Sequence, residues 1–296
     1  MANQLWTSTL TGYRRVGTRL SEVRVLFESG ITAKAIYEPL KCCCLSSDAA
    51  EMRKLLSERG FDIAGVMETE EGRVIGFVQA SSLESGLIQN FTKRIDTDYI
   101  ISDSTPIANL LSILKDKDHV FVLSGATIAG IITRSDLNKP ALRVYLFGLT
   151  SLLEMHITFW VRIQYPVDKW KSELSEERLK MAFALWEKRR NVNQEIDLVE
   201  CLQFCDKLDL LLRDESWRKR LQIQSRSQGK RILASAQTLR DTLAHSQVDL
   251  SEGSNWERVF NTVSCIEELL HLSDSEIEKG ALSTAMKYKE PLWKAR

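Results

Sequence analysis

The sequence predicts an α+β protein in which a tandem repeat of helix and paired strands precedes an all-helical bundle. Three observations carry this. Ten of the 14 glycines fall within residues 1–130 and three after residue 150, whereas six of the seven tryptophans follow residue 159. Glycine punctuates short strands and turns, so the two halves obey different local rules. Residues 45–137 contain one pattern twice, and from Ala141 the apolar positions recur with the 3.6-residue period of helices. The expected organisation is an N-terminal amphipathic helix within 1–30, repeats over about 31–88 and 89–140, a bundle over 141–272, and a C-terminal tail over 273–296.

Each element has a local reason. In "VGTRLSEVRVLFESGI", Val16, Leu20, Val23, Leu26 and Phe27 make one apolar face, expected to pack on the repeats or on a partner. "KCCCL" reads as a short buried strand. In "LSSDAAEMRKLLSERGFDIAGVMETEEGRVIGFVQASSL", Asp48 with Glu51 starts a helix that ends at Gly60. Strands "DIAGVME" and "RVIGFVQ" follow, joined by a turn at Thr69–Gly72. In "ISDSTPIANLLSILKDKDHVFVLSGATIAGIITRSDL", Thr105 is the expected cap, with Pro106 at the first helical position. Strands "HVFVL" and "TIAGIIT" flank a Ser124-Gly125 turn, and Gly76 and Gly130 occupy equivalent places.

The second half is expected to hold five helices. "ALRVYLFGLTSLLEMHITFWVRIQ" is too apolar for a surface helix, while Arg143, Glu154, His156 and Arg162 argue against a membrane span, so it is the central helix of a bundle, with His156 in its core or an interface. "SEERLKMAFALWEKRRN" begins at a Ser175 cap. "DLVECLQFCDKLDLLLRD" carries the stripe Leu198, Cys201, Leu202, Cys205, Leu208, Leu211 and Leu212. "GKRILASAQTLRDTLAHS" and "NWERVFNTVSCIEELLHL" complete the set.

Composition narrows the function classes. The formal net charge is zero and the pI about 6.9, so no global basic excess points to nucleic acid. The N-terminus lacks the apolar centre and cleavage site of a signal peptide, and no apolar run reaches the ~20 residues of a span. A cytoplasmic protein is expected. The six cysteines have neither zinc-site nor disulfide-framework spacing, so no metal is expected and no cofactor is required. Charge is uneven locally: residues 213–231 hold seven Lys or Arg against two acids. Arg218, Lys219 and Arg220 could follow an RNA backbone, and Trp217 either stacks on a base or sits in the core.

The repeat resembles a tandem pair of cystathionine-β-synthase (CBS) domains, on "AIYEPLKCCCLSSDAAEMRKLLSERGFDIAGV" at its entry and "GIITRSDL" at its exit. The resemblance implies a pseudo-symmetric sandwich whose clefts bind an adenine nucleotide such as AMP, ADP or ATP. It implies ligand contacts from Thr133 and Asp136, with Arg134 nearby. A carboxylate accepts ribose hydroxyls, and a hydroxyl at a helix N-terminus assists phosphate binding. The first repeat departs from the pattern, with Gln79 and Ser82 at those positions, so its cleft is empty or takes something else. The alternative is that the pair only dimerises.

The bundle resembles the HEPN superfamily on one motif, Arg240-x4-His245 in "LRDTLAHSQ", with Asp241 in the polar slot after the arginine. That resemblance implies a metal-independent endoribonuclease site assembled in a homodimer: His245 moves a proton, Arg240 clamps the phosphorus, and Glu154 supplies an acid from the first bundle helix. Inactive members of the superfamily keep only the bundle, and Glu154 could equally pair with an arginine for structure. Together the expectations describe a nucleotide sensor controlling an RNA-cleaving effector, in a stress or phage-defence setting where it would act as a toxin. The alternative is a non-enzymatic regulator with a helical docking surface.

Overall fold

The structure is a computed structural model, and it describes residues 6–7, 14–15, 20–28, 30–192, 196–244, 249–250 and 255–288. Two strands, β1 (Trp6–Thr7) and β2 (Arg14–Arg15), pair antiparallel ahead of helix α1 (Leu20–Glu28). The chain divides into one unit of residues 27–143 and another made of 1–26 with 144–296.

The first of these is built from two copies of one motif. In the first copy, β4 (Cys42–Cys44) runs parallel to β5 (Ile63–Met67) through helix α2 (Ala49–Arg59), and β5 returns antiparallel as β6 (Val74–Gln79). In the second, β7 (Ile100–Ser102), α3 (Ile107–Lys115), β8 (His119–Ser124) and β9 (Thr127–Thr133) repeat the order and the pairing. Even the irregularities coincide. The hairpin register shifts after Val66 in one copy and after Val122 in the other, and Val66 faces Gly76 as Val122 faces Gly130.

Local chemistry sets most of these boundaries. The Asp48 carboxylate accepts the Glu51 N–H at 2.8 Å, and Gly60 closes α2 in the left-handed region at φ 68°, where a side chain would be strained. Gly125 turns β8 into β9 at φ 59°. The helix of the second copy starts one residue later than expected: its cap is Pro106, and Thr105 makes no side-chain cap. The reason is tertiary. The Ile107 N–H donates to the Ile31 carbonyl at 3.0 Å, so the segment leading into the first copy satisfies the helix of the second. The reciprocal bond, Ala49 N–H to the Gly86 carbonyl at 2.8 Å, does the same for α2.

The exchange extends to the sheets. Strand β3 (Glu38–Pro39) precedes the first copy yet pairs with β9, giving the order β3-β9-β8-β7, while Lys93 bridges to Phe77 beside β4-β5-β6. This explains the matched glycines: a Cβ on Gly76 would lie 2.6 Å from the Lys93 carbonyl oxygen, and one on Gly130 2.8 Å from that of Glu38. Between the hairpins Phe77 meets Phe121 at 5.2 Å and His119 at 5.9 Å, centroid to centroid. Of the cysteine triplet only Cys43 is buried, and burial with its two neighbours pushes its thiol up to about 11, so it stays protonated and packs as an apolar group.

The helical unit centres on α4 (Pro140–Gln164). By length and composition this helix could cross a membrane, against the expectation that no run is long enough, but 61% of its most apolar window is buried against protein, as in a bundle core helix. Around it stand α5 (Glu176–Arg190), α6 (Phe204–Arg213), α7 (Glu215–Arg220), α8 (Arg226–Ala244) and α9 (Trp256–Tyr288). The expected third helix is broken: Leu198–Cys201 is a 3-10 turn, and α6 begins after Gln203. Cys205 is therefore only partly buried, and the inward face of α6 is Phe204, Lys207, Leu208 and Leu211.

Two boundaries are corrected. Helix α9 runs straight through residue 273, where a tail was expected. Ser273 is buried because two α4 side chains need its hydroxyl: Trp160 Nε1–H donates to it at 2.7 Å and His156 Nδ1 lies 2.8 Å away. The α1 segment belongs with the helical unit, where the Leu20 N–H donates to Asp274 Oδ2 at 2.9 Å.

Candidate functional site

The end of β9 holds the first candidate site. Thr133 caps a 3-10 turn, Arg134–Asn138, and its N–H and hydroxyl both donate to Asp136 Oδ2, at 2.8 and 3.0 Å. Asp136 is 8% exposed, and its other oxygen faces Lys139 Nζ at 2.8 Å. Lys139 also pairs with Glu38 of β3. Burial opposes the charge on Lys139, but its bonds to Asp136 and Glu38 prevail and hold its pKa above the ordinary lysine value. The carboxylate is thus held in position from both of its oxygens.

Arg134, expected beside the ligand, is engaged elsewhere. It donates to the carbonyls of Leu114 and Lys115 at 3.0 and 3.1 Å and pairs with Asp118 at 3.1 Å, closing the C-terminal end of α3. The matching turn in the first copy has no carboxylate: the Ser82 hydroxyl donates to the Gln79 carbonyl at 2.8 Å, and Lys93 donates to the Gln79 side chain at 2.7 Å.

Residues 93–140 match the family model of the CBS domain. This segment is a CBS domain. Three solved structures are similar to part of the chain. A conserved protein from Pyrococcus horikoshii is 20% identical over 37% of this chain and 90% of its own, with a TM-score of 0.33. CBSX2 from Arabidopsis thaliana is 16% identical over 39% and 96%, with a TM-score of 0.34. The CBS domains of a transcriptional regulator from Streptococcus pneumoniae are 21% identical over 36% and 97%, with a TM-score of 0.32. No curated protein matches the chain.

One further side chain of the CBS domain was missed by the sequence reading. His119 is the cross-strand partner of Thr133 and is 9% exposed. Tyr99, Phe77 and Phe121 surround its ring, and its Nε2 is buried without a hydrogen-bond partner among the described residues. Burial lowers its pKa despite Asp118 nearby. The signal was available: a histidine opening the strand "HVFVL" has a period-2 partner across the hairpin.

In the helical unit Arg240 of α8 reaches Glu154 of α4, Nε to Oε2 at 3.1 Å, and Asp241 Oδ1 at 3.5 Å. The second Glu154 oxygen faces Lys207 of α6 at 3.4 Å. Lys207 is 2% exposed, and burial lowers its pKa against the opposing pull of Glu154. Three helices therefore meet at one carboxylate with two cations. His245 lies outside the described residues. Lys207 was missed because a lysine reads as solvated, yet it stands three residues after Phe204 and four before Leu211, on the inward stripe.

The basic segment is corrected in part. Trp217 is 2% exposed, so it has no face for a base. Arg213 pairs with Glu173 at 2.9 Å, Lys219 with Glu215 at 2.7 Å and Lys230 with Asp209 at 3.2 Å, while Arg218 donates to the Leu212 carbonyl. Much of the segment's charge is spent on the bundle. Among the described residues Arg220 has no ion pair within 4.0 Å, although its charge helps lower the pKa of Asp214, after the burial and hydrogen-bond effects on that group. Among the described residues no group of three or more His, Cys, Asp or Glu is placed to hold a metal.

Proposed function

We propose that the two repeats form a CBS pair that binds an adenine nucleotide such as AMP, ADP or ATP, and that the helical unit is the effector it regulates. The observation that carries this is the prearranged Thr133–Asp136 box at the end of β9, inside the matched CBS segment. A fixed carboxylate suits two ribose hydroxyls, and the turn beside it offers N–H donors to phosphate. Because only the second repeat has the box, one nucleotide per chain is expected. A ligand changes an effector only by preferring one arrangement of the protein, so the coupling is a population shift. Isothermal titration calorimetry with AMP, ADP and ATP tests this. Binding by wild type and its loss in Asp136→Asn support the site; no heat from any of the three overturns it.

A second reading, that the effector is a metal-independent endoribonuclease active as a homodimer in the cytoplasm, is favoured by the Glu154–Arg240 contact. In it Arg240 steadies the phosphoryl charge, Glu154 and Asp241 orient the guanidinium, and His245 transfers the proton. Cleavage of RNA in a chelator, lost in both Arg240→Ala and His245→Ala, would support it. No cleavage with or without nucleotide returns the effector to a docking role.

A further inference from the structure

Helices α8 and α9 line an open groove of about 370 Å³ that neither reading uses. One face of each helix lines it, with Arg231, Ile232 and Ser235 from α8 and Arg258, Asn261 and Cys265 from α9. Its size falls within the roughly 300–1,000 Å³ range of small-molecule sites.

Two arginines line it. In this unit Arg162, Arg178, Arg213 and Arg240 each lie within 3.5 Å of a carboxylate, whereas Arg218 and Arg220, like these two, have none among the described residues. Arg231 and Arg258 have no ion pair among the described residues although they share one groove, and the only acid lining it is Glu257. The hydroxyl of Ser235 is committed to the Arg231 carbonyl at 3.1 Å, and Asn255 Oδ1 to the Arg258 N–H at 3.0 Å. The donors left for a ligand are therefore the two guanidinium forks and the amide groups of Asn255 and Asn261, against a wall of Ile232 and Cys265. Forked donors match the oxygens of a phosphate, and an apolar wall suits an organic body attached to it.

We infer that the α8–α9 groove binds a small organic phosphate, its phosphoryl group held between Arg231 and Arg258 and its apolar body against Ile232 and Cys265. This site is separate from the CBS cleft and does not depend on the nucleotide reading.

Calorimetric titration of the full chain with phenyl phosphate and, separately, inorganic phosphate tests it. Phenyl phosphate should bind more tightly than phosphate, weaken with salt, and lose ~10-fold in affinity for each arginine replaced, in Arg231→Gln and Arg258→Gln. Asp136→Asn should leave it unchanged, so failure here is distinguishable from failure at the CBS site. Both arginines are exposed, and an unchanged melting temperature confirms that the variants fold. No binding of phenyl phosphate, binding unaltered by the arginine variants, or binding lost only in Asp136→Asn each overturns the inference. So does a single-stranded RNA that binds through these arginines when phenyl phosphate does not.

Discussion

The first repeat closes on Ile63 facing Gln79, and the second on His119 facing Thr133, at the same register of the same hairpin. Upstream of that rung the two copies agree down to the position of the strand irregularity. Downstream, Ser82 stands where the other copy has Asp136. The repeats therefore share what the exchanged backbone requires and differ in the side chains of the turn that follows the hairpin. Scaffold and site can be perturbed separately, with one repeat serving as the control for the other.

The largest effect is expected from breaking what they share. A methyl group at Gly130 would meet the Glu38 carbonyl oxygen at 2.8 Å and the Tyr37 ring at 2.2 Å, and one at Gly76 the Lys93 carbonyl oxygen at 2.6 Å. Backbone cannot swing aside as a side-chain tip can, so Gly130→Ala and Gly76→Ala should each cost up to about 3 kcal/mol. Gly130→Ala should cost the more, because the Tyr37 ring, at 2.2 Å, must move further than the Thr92 methyl that a Cβ at Gly76 would meet at 2.7 Å. Hydrogen exchange along β5–β6 and β8–β9 reads both. An unaffected Gly76→Ala would mean that the Lys93 crossing is not tight.

The next effect separates the copies. Asp136→Asn removes the carboxylate that accepts from Thr133 and pairs with Lys139, and about 1–2 kcal/mol should be lost. Ser82→Ala at the matching position gives up one hydroxyl bond to a nearby carbonyl, for about 0.5 kcal/mol or less. Equal losses in urea denaturation would remove the distinction drawn between the two turns.

The His119 rung adds a pH dependence that Ile63 cannot. The folded state holds this imidazole neutral, with its pKa below the ordinary value of about 6.5, whereas the unfolded chain protonates at that ordinary value. Its contribution is present above about pH 6.5 and is lost as the pH falls below it. Protection of β8–β9 should therefore drop between pH 7 and 5.5 in wild type and stay level in His119→Ile. A slope that persists in the variant would assign the effect to another group.

Where the chain was legible, the cause was local. Asp48 with Glu51, the left-handed Gly60 and the Gly125 turn act within a few residues of themselves, and a sequence displays them directly. The strand exchange was not legible, because Glu38–Pro39 pairs with a strand more than 90 residues away and its only trace is the matched glycines. Burial of Lys207 and Ser273 was hidden by their polarity: each is inside because another helix supplies a partner, Glu154 for one and Trp160 with His156 for the other. Of the residues expected to act together, the motif itself pointed to Arg240 and Asp241. That Glu154 meets Arg240 depended on how α4 packs against α8.

The smallest effect comes from writing the second turn into the first repeat. Gln79→Thr with Ser82→Asp recreates the cap residue and the carboxylate three positions later, on a turn that already has a 3-10 conformation over Ala80–Ser82. It does not recreate the ion pair, since Ser85 stands where Lys139 would be needed, and it gives up the exposed bond from Lys93. A gain of about 0.5–1 kcal/mol in the stability of the repeat unit follows from the box alone. The single change Ser82→Asp should give less, because one half of the reciprocal pair is missing. If the double variant gains nothing, the backbone of the two turns differs as well as the side chains, and the asymmetry between the repeats lies deeper than two substitutions can reach.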